Sequence, residues 1–274
     1  MTAAPRQPRD ARQGRLEVLV LWTGLAFAFS PALVDLLRHM AEHPWARYAA
    51  LFPFLFARSA LTRPDRPPVR RDGILMIGVG IGLELLGVLA SIPQIGRVGL
   101  ALAAMGLCRL TALADWRQLL LLALAVPLPS AAFGLTSPVF ELALASAASG
   151  CLDALGLGGI QIAEGAARYG DQELILKPFD GGAALVPLLA GVSWYGSLLL
   201  DIPVKRAMVL ASWAVLLAFP VQMVAIAFAL LSLPLGSANV GRWALSEVLW
   251  LVVAGVSLAM IERRVRRGES EREI

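Results

Sequence analysis

The residues that could carry chemistry in this chain are few and far apart. His39 and His43 bracket Met40-Ala41-Glu42 in the H-x-x-E-H order of a zinc-protease helix. Two histidines at i and i+4 share a helical face, as a metal site requires. The chain holds only 2 His, and Pro44 ends any helix at once. A polar helix terminus at a membrane surface explains the segment equally, so neither metal nor cofactor is expected. Glu84 sits inside an apolar stretch, where a charge costs roughly 2.5–3.5 kcal/mol or more at mid-bilayer and such acids face a cavity or a partner helix. It is the candidate intramembrane acid, although a protonated Glu bonded to a neighbouring helix would account for it too. Cys108, beside Arg109, and Cys151 have no obvious His to activate a thiol and read as small packing residues. Ser193, in Gly191-Val192-Ser193-Trp194, lacks the second glycine of a nucleophile elbow.

The elements that must position these groups are membrane helices. Hydrophobic residues form 58% of 274 positions and mean hydropathy is +0.70, more apolar surface than a water-soluble fold could cover. A span needs about 20 mostly apolar residues. Eight stretches qualify: 16–37, 46–61 (interrupted by Pro53), 73–91, 97–113, 118–134, 183–200, 207–232 and 243–262. The fold class is therefore an all-α polytopic membrane protein. With the N-terminus inside, eighteen of the 24 basic residues face the cytoplasm, which sets the orientation of a bacterial inner-membrane protein with both ends inside. The same distribution explains the pI near 9.6 without a nucleic-acid partner. The Arg-rich start resembles the n-region of a signal peptide but lacks a small-residue cleavage site, so the first span is expected to be retained. Two cysteines cannot build a disulfide framework. Gly78-Val79-Gly80-Ile81-Gly82 lies within a span, where it favours close helix packing over phosphate binding.

The order along the chain is a basic cytoplasmic N-terminus (1–15), spans one to five (16–134), a periplasmic segment (135–182), spans six to eight (183–262) and a charged cytoplasmic tail (263–274). In the periplasmic segment, 138–155 has apolar positions at helical spacing and reads as an interfacial helix ended by Gly156, Gly158 and Gly159. Ile160–Ala163 and Leu174–Lys177 then read as two short strands of a hairpin around Gly165 and Gly170.

Four stretches in this order resemble the exosortase/archaeosortase family. They are Leu119–Pro129 ending in Pro-x-Pro, the Pro138–Gly159 helix, the Leu174–Leu185 strand, and the two last spans with their spacing. His43–Leu61 is a weaker echo of the family's second span. The resemblance covers about half the chain and implies a membrane cysteine peptidase or transpeptidase that processes C-terminal sorting signals of exported proteins. It also implies a Cys nucleophile, an Arg on the penultimate span and a His near the last. At those positions this sequence has Asp180 before Gly181 and Gly182, Gln222 through Ala225 in place of N-x-x-R, and Ser246 in place of His.

A thiolate attacks a peptide carbonyl well, and a His both activates it and protonates the leaving amine. Asp180 without either partner cannot substitute. The resemblance thus implies a catalytically degenerate relative in an envelope or exopolysaccharide pathway, with Asp180, Gly181, Gly182 and Trp194 as candidate substrate-binding residues. Its partners would be the lipid bilayer and the C-terminal tails of exported proteins or other membrane subunits. Two other classes fit the residues: a non-enzymatic subunit of a membrane complex, and a transporter component centred on Glu84.

Overall fold

A computed structural model of the chain describes residues 11–61, 70–127, 130–156, 158–163, 166–175, 182–236, 252–261 and 263. It is mostly helical. Helices α1 (Ala11–Ala28) and α2 (Ser30–Glu42) lead through a 3-10 segment (Pro44–Ala50) to α3 (Leu51–Leu61), α4 (Arg70–Leu89), α5 (Pro93–Leu110), α6 (Trp116–Leu124) and α7 (Ser130–Ala154). Strands β1 (Gln161–Ala163), β2 (Ala166–Tyr169) and β3 (Gln172–Ile175) follow, then α8 (Gly182–Leu199) and α9 (Val204–Leu231). The chain divides into two compact units, Met1–His39 with Ala60–Val126, and Met40–Ser59 with Pro127–Ile274.

Among the described residues, two helical segments are long and apolar enough to cross a bilayer by themselves, Arg71–Leu89 and Val204–Leu231. The stretch expected as one first span is a broken pair, Leu19–Ala28 and Ser30–Glu42, bent by 74°. Pro31 explains the break. It cannot donate to the α1 ladder and its ring clashes with the carbonyl four residues back, yet it fits the first turn of a new helix. The expected fifth span is also divided, because α6 ends at Leu124 and α7 has begun by Ser130. At nine residues, α6 is about 14 Å long and covers half a bilayer. In the second expected span, the change from 3-10 to α geometry falls at Leu51, ahead of Pro53. Pro53 then lies in the first turn of α3, where its missing N–H is harmless.

In the first unit, α4 and α5 form an antiparallel hairpin through a short turn in which Ser91 is left-handed (φ 55°). The two backbones meet at glycines. A Cβ added at Gly80 would lie 2.6 Å from the Gly99 carbonyl oxygen, one at Gly73 2.8 Å from that of Gly106, and one at Gly87 2.7 Å from the Gly96 nitrogen. Of the three glycines expected to allow close packing, only Gly80 does so; Gly78 and Gly82 meet nothing within 4 Å. The packing glycines of α4 recur every seven residues, two helical turns, and so share one face. Next in the chain, α6 starts with a capping box: the Gln118 amide donates to Asp115 Oδ1, and Gln118 Oε1 accepts from the Asp115 amide, both at 2.9 Å.

The second unit is built on side chains. Leu152 of α7, Leu174 of β3, and Ile226, Leu230 and Leu233 from α9 and the turn after it form one buried cluster with small residues between them. The sheet is a three-stranded antiparallel meander, β1-β2-β3. The expected hairpin is therefore corrected: its two strands do not pair with each other, and both pair with β2. Strand β2 was hidden because Ala166-Ala167-Arg168-Tyr169 buries two consecutive residues and exposes the next two, instead of alternating. The preceding helix α7 starts earlier than the expected 138 and stops at Ala154, where Gly156 takes φ +78° just past its end. Ser149 Oγ, buried on α7, donates to the Ile160 carbonyl at 3.4 Å and ties the helix to the start of the sheet.

Candidate functional site

The most complete polar arrangement among the described residues lies in the first unit, where α4 turns into α5. Glu84 is not at mid-helix. It stands five residues before the end of α4, about 8 Å along the axis, beside that turn. Its residue is 7% exposed and neither carboxylate oxygen has a hydrogen-bond partner among the described residues. Gly96 makes the space it occupies: a Cβ there would sit 2.5 Å from Oε2. The amide of Ala32, in the first turn of α2 after the bend, acts on the carboxyl group without completing a hydrogen bond, and Asp35 acts on it as a like charge. The cover over Glu84 is thin. Solvent contact is nearly closed, yet few protein atoms surround it at longer range.

The same unit holds a second polar group, the Asp35–Arg97 pair. Arg97 Nε donates to Asp35 Oδ2 at 2.6 Å, with side-chain exposures of 4% and 30%. Arg97 Nη1 has no hydrogen-bond partner among the described residues. A cavity of ≈280 Å³ is lined by Ala32, Asp35, Glu84, Ser91 and Gly96 among others. Asp35 and Arg97 were missed as site residues because 62 positions separate them and neither belongs to a motif. The only signal in the sequence was an Arg in the first turns of a largely apolar helix.

The remaining candidates are placed as follows. His39 is buried on α2, and His43 caps the 3-10 segment with extended backbone (φ −118°, ψ 97°), so the helix stops short of it and the i, i+4 face does not form. Among the described residues, no group of three or more His, Cys, Asp or Glu could hold a metal. Cys108 is fully buried in α5, whereas Cys151 is exposed on α7. Asp180, Gly181 and Ser246 lie outside the described residues; Gly182 is the first residue of α8. Gln222 and Ala225 are buried on α9, and Gln222 Oε1 has no hydrogen-bond partner among the described residues. Trp194 is a buried residue of α8, whose carbonyl accepts from Ser197 Oγ at 2.7 Å, so it presents no open face to a substrate. No protein-family model, curated protein or solved structure matches this chain.

Proposed function

We propose that the chain is an exosortase-like integral membrane protein that holds the C-terminal tails of exported proteins without cleaving them, in an envelope or exopolysaccharide pathway. One observation carries this reading. Helix α7, the sheet, α8 and α9 belong to a single compact unit, in the order that the resemblance implies. Helix α9, about 42 Å long, starts with Lys205 and Arg206, and the sheet packs at its other end. Basic residues favour the cytoplasmic side, so the sheet stands on the periplasmic side of this helix. The buried amide of Gln222, on the same helix, occupies the position where the resemblance leads one to expect the start of the N-x-x-R motif.

The topology we propose has eight passes with both termini in the cytoplasm, several of them made of two helical pieces. Reporter fusions within 62–69 and 200–203 should read cytoplasmic, and one within 166–175 periplasmic. For function, the full chain is co-expressed with an exported protein carrying an apolar C-terminal tail and a terminal basic cluster. The expected result is tail-dependent co-purification with no shortening of the tail. Co-purification that survives deletion of the tail would refute tail binding. Tail shortening that disappears on Cys151→Ala would refute degeneracy and establish a thiol enzyme.

A further inference from the structure

We propose that Glu84, together with the Asp35–Arg97 pair, forms a binding site for one monovalent cation, an alkali ion or a proton, in the cavity at the α4–α5 turn. The site lies outside the tail-binding unit and does not depend on that reading.

Charge balance points to the ligand. Two carboxylates and one guanidinium leave a net charge of −1 when Glu84 is ionised, which a single monovalent cation neutralises. Arg97 is already engaged: its Nε donates to Asp35 Oδ2 at 2.6 Å, so it does not supply Glu84 with a counter-ion of its own. Glu84 is left more than nine-tenths buried with both oxygens lacking a hydrogen-bond partner among the described residues. An ionised carboxylate in that state is costly unless something pairs with it. The groups facing it are the Asp35 carboxylate and the Ala32 amide from α2 and Ser91 from the turn, and Arg97 is bonded to the far partner, Asp35. The carboxylate oxygens of Glu84 and Asp35 are hard donors that suit alkali ions and protons, and the guanidinium bonded to Asp35 opposes a divalent ion.

The fold keeps this space open. Gly96 withholds the Cβ that would fill it, and the ≈280 Å³ cavity holds room for an ion with bound water. The bend between α1 and α2 brings the first turn of a new helix to the same place. Broken helices at buried ion sites are a recurring device of membrane transport proteins, where unwound backbone and helix ends replace the ion's water.

The test uses the purified full chain in lipid nanodiscs. Thermal unfolding is followed in sodium, potassium or choline chloride at one ionic strength, at pH 6 and pH 8, for the native chain and Glu84→Gln. If an alkali ion binds, sodium or potassium at about ten times its dissociation constant should raise Tm by about 3–5 °C over choline. That shift should grow from pH 6 to pH 8 as protons stop competing, and Glu84→Gln should abolish it. If the ligand is a proton, the salts are equivalent, and the native chain loses Tm from pH 6 to pH 8 while Glu84→Gln does not. Identical responses of the two proteins to every salt and both pH values overturn the site. Should Glu84→Gln fail to fold, the native chain is labelled with an apolar carbodiimide, which reacts with protonated buried carboxyls. Labelling at Glu84, read by peptide mass, should fall at least several-fold with higher pH or with the bound alkali ion. Labelling indifferent to both overturns the proposal.

Discussion

The α4–α5 hairpin and the α7–sheet–α9 assembly solve the same problem in opposite ways. In the hairpin, two backbones approach until carbonyl oxygens lie where glycine side chains would start, and the large apolar residues of α4, such as Ile74, Leu75 and Leu85, point outward and stay exposed. In the α7–sheet–α9 assembly, Leu152, Leu174, Ile226, Leu230 and Leu233 fill a buried centre, as in a water-soluble core. The difference follows the solvent. Lipid tails are as apolar as leucine, so burying leucine between two membrane helices gains little, whereas close backbone contact gains dispersion. Where water is the solvent, burying leucine is favourable, and the α7–sheet–α9 cluster is packed in that way.

The largest effect expected from this contrast is at the glycine seam. Gly80→Leu should cost more than about 3 kcal/mol, because the inserted side chain has no room against the Gly99 carbonyl and the helices must part. Gly78→Ala and Gly82→Ala, on the open face, should be neutral or stabilise by up to about 1 kcal/mol through helix propensity. Unfolding followed by circular dichroism in nanodiscs reads all three. Equal losses at positions 78 and 80 would mean that the glycine face is assigned wrongly.

Leu174→Ala tests the other mode. Leu174 is 0% exposed at the centre of the second core, and truncation should cost about 3 kcal/mol through the lost transfer energy and the cavity left behind. The loss should be local first, seen as faster protease cutting within 158–175 before the helices unfold. If the whole chain unfolds in one step with no early cutting, the sheet and the helices are a single cooperative body.

Next in size is Asp35→Asn. It removes the charge that Arg97 is bonded to, and Arg97 is the more deeply buried partner. Leaving a buried cation unpaired costs about 3–5 kcal/mol in closed sites; with Asp35 30% exposed, water can reach the site and about 2 kcal/mol is expected. Arg97→Leu in the Asp35→Asn background should restore much of that stability. A double variant as unstable as the single one would show that the pair is not what holds α2 to α5.

These regions were not equally legible in the sequence. The helical, strongly apolar character of the chain, the sheet segment and Glu84 are evident from composition and local pattern, because each signal lies within a short window. The glycine seam was legible in principle, since Gly73, Gly80 and Gly87 keep a strict seven-residue period, but the denser Gly78–Gly82 cluster drew attention to the wrong face. The α1–α2 break carried a local sign in Pro31, overridden by the length of the apolar run around it. Strand β2 lacked the alternation that marks a half-buried strand, and only its pairing on both sides defines it. The Asp35–Arg97 contact had no local sign, because tertiary folding alone brings positions 62 residues apart together.

The smallest effect should come from the pair that looks best on the page. Arg168 donates through both Nε (3.1 Å) and Nη2 (2.9 Å) to Glu173 Oε1, across the directly paired positions of β2 and β3. The pair makes two contacts where the Asp35–Arg97 bond makes one, at 2.6 Å, yet its two side chains are 58% and 46% exposed. Water at the surface already solvates both charges, so the pair exchanges one good environment for another and must also hold two long side chains still. Arg168→Ala should therefore change stability by no more than about 0.5–1 kcal/mol, and less at high salt, where exposed charges are screened. A loss comparable to that of Asp35→Asn would mean that the outer face of the sheet is covered in the membrane. The sheet would then be a contact surface whose charges are as buried as those of the α2–α5 pair.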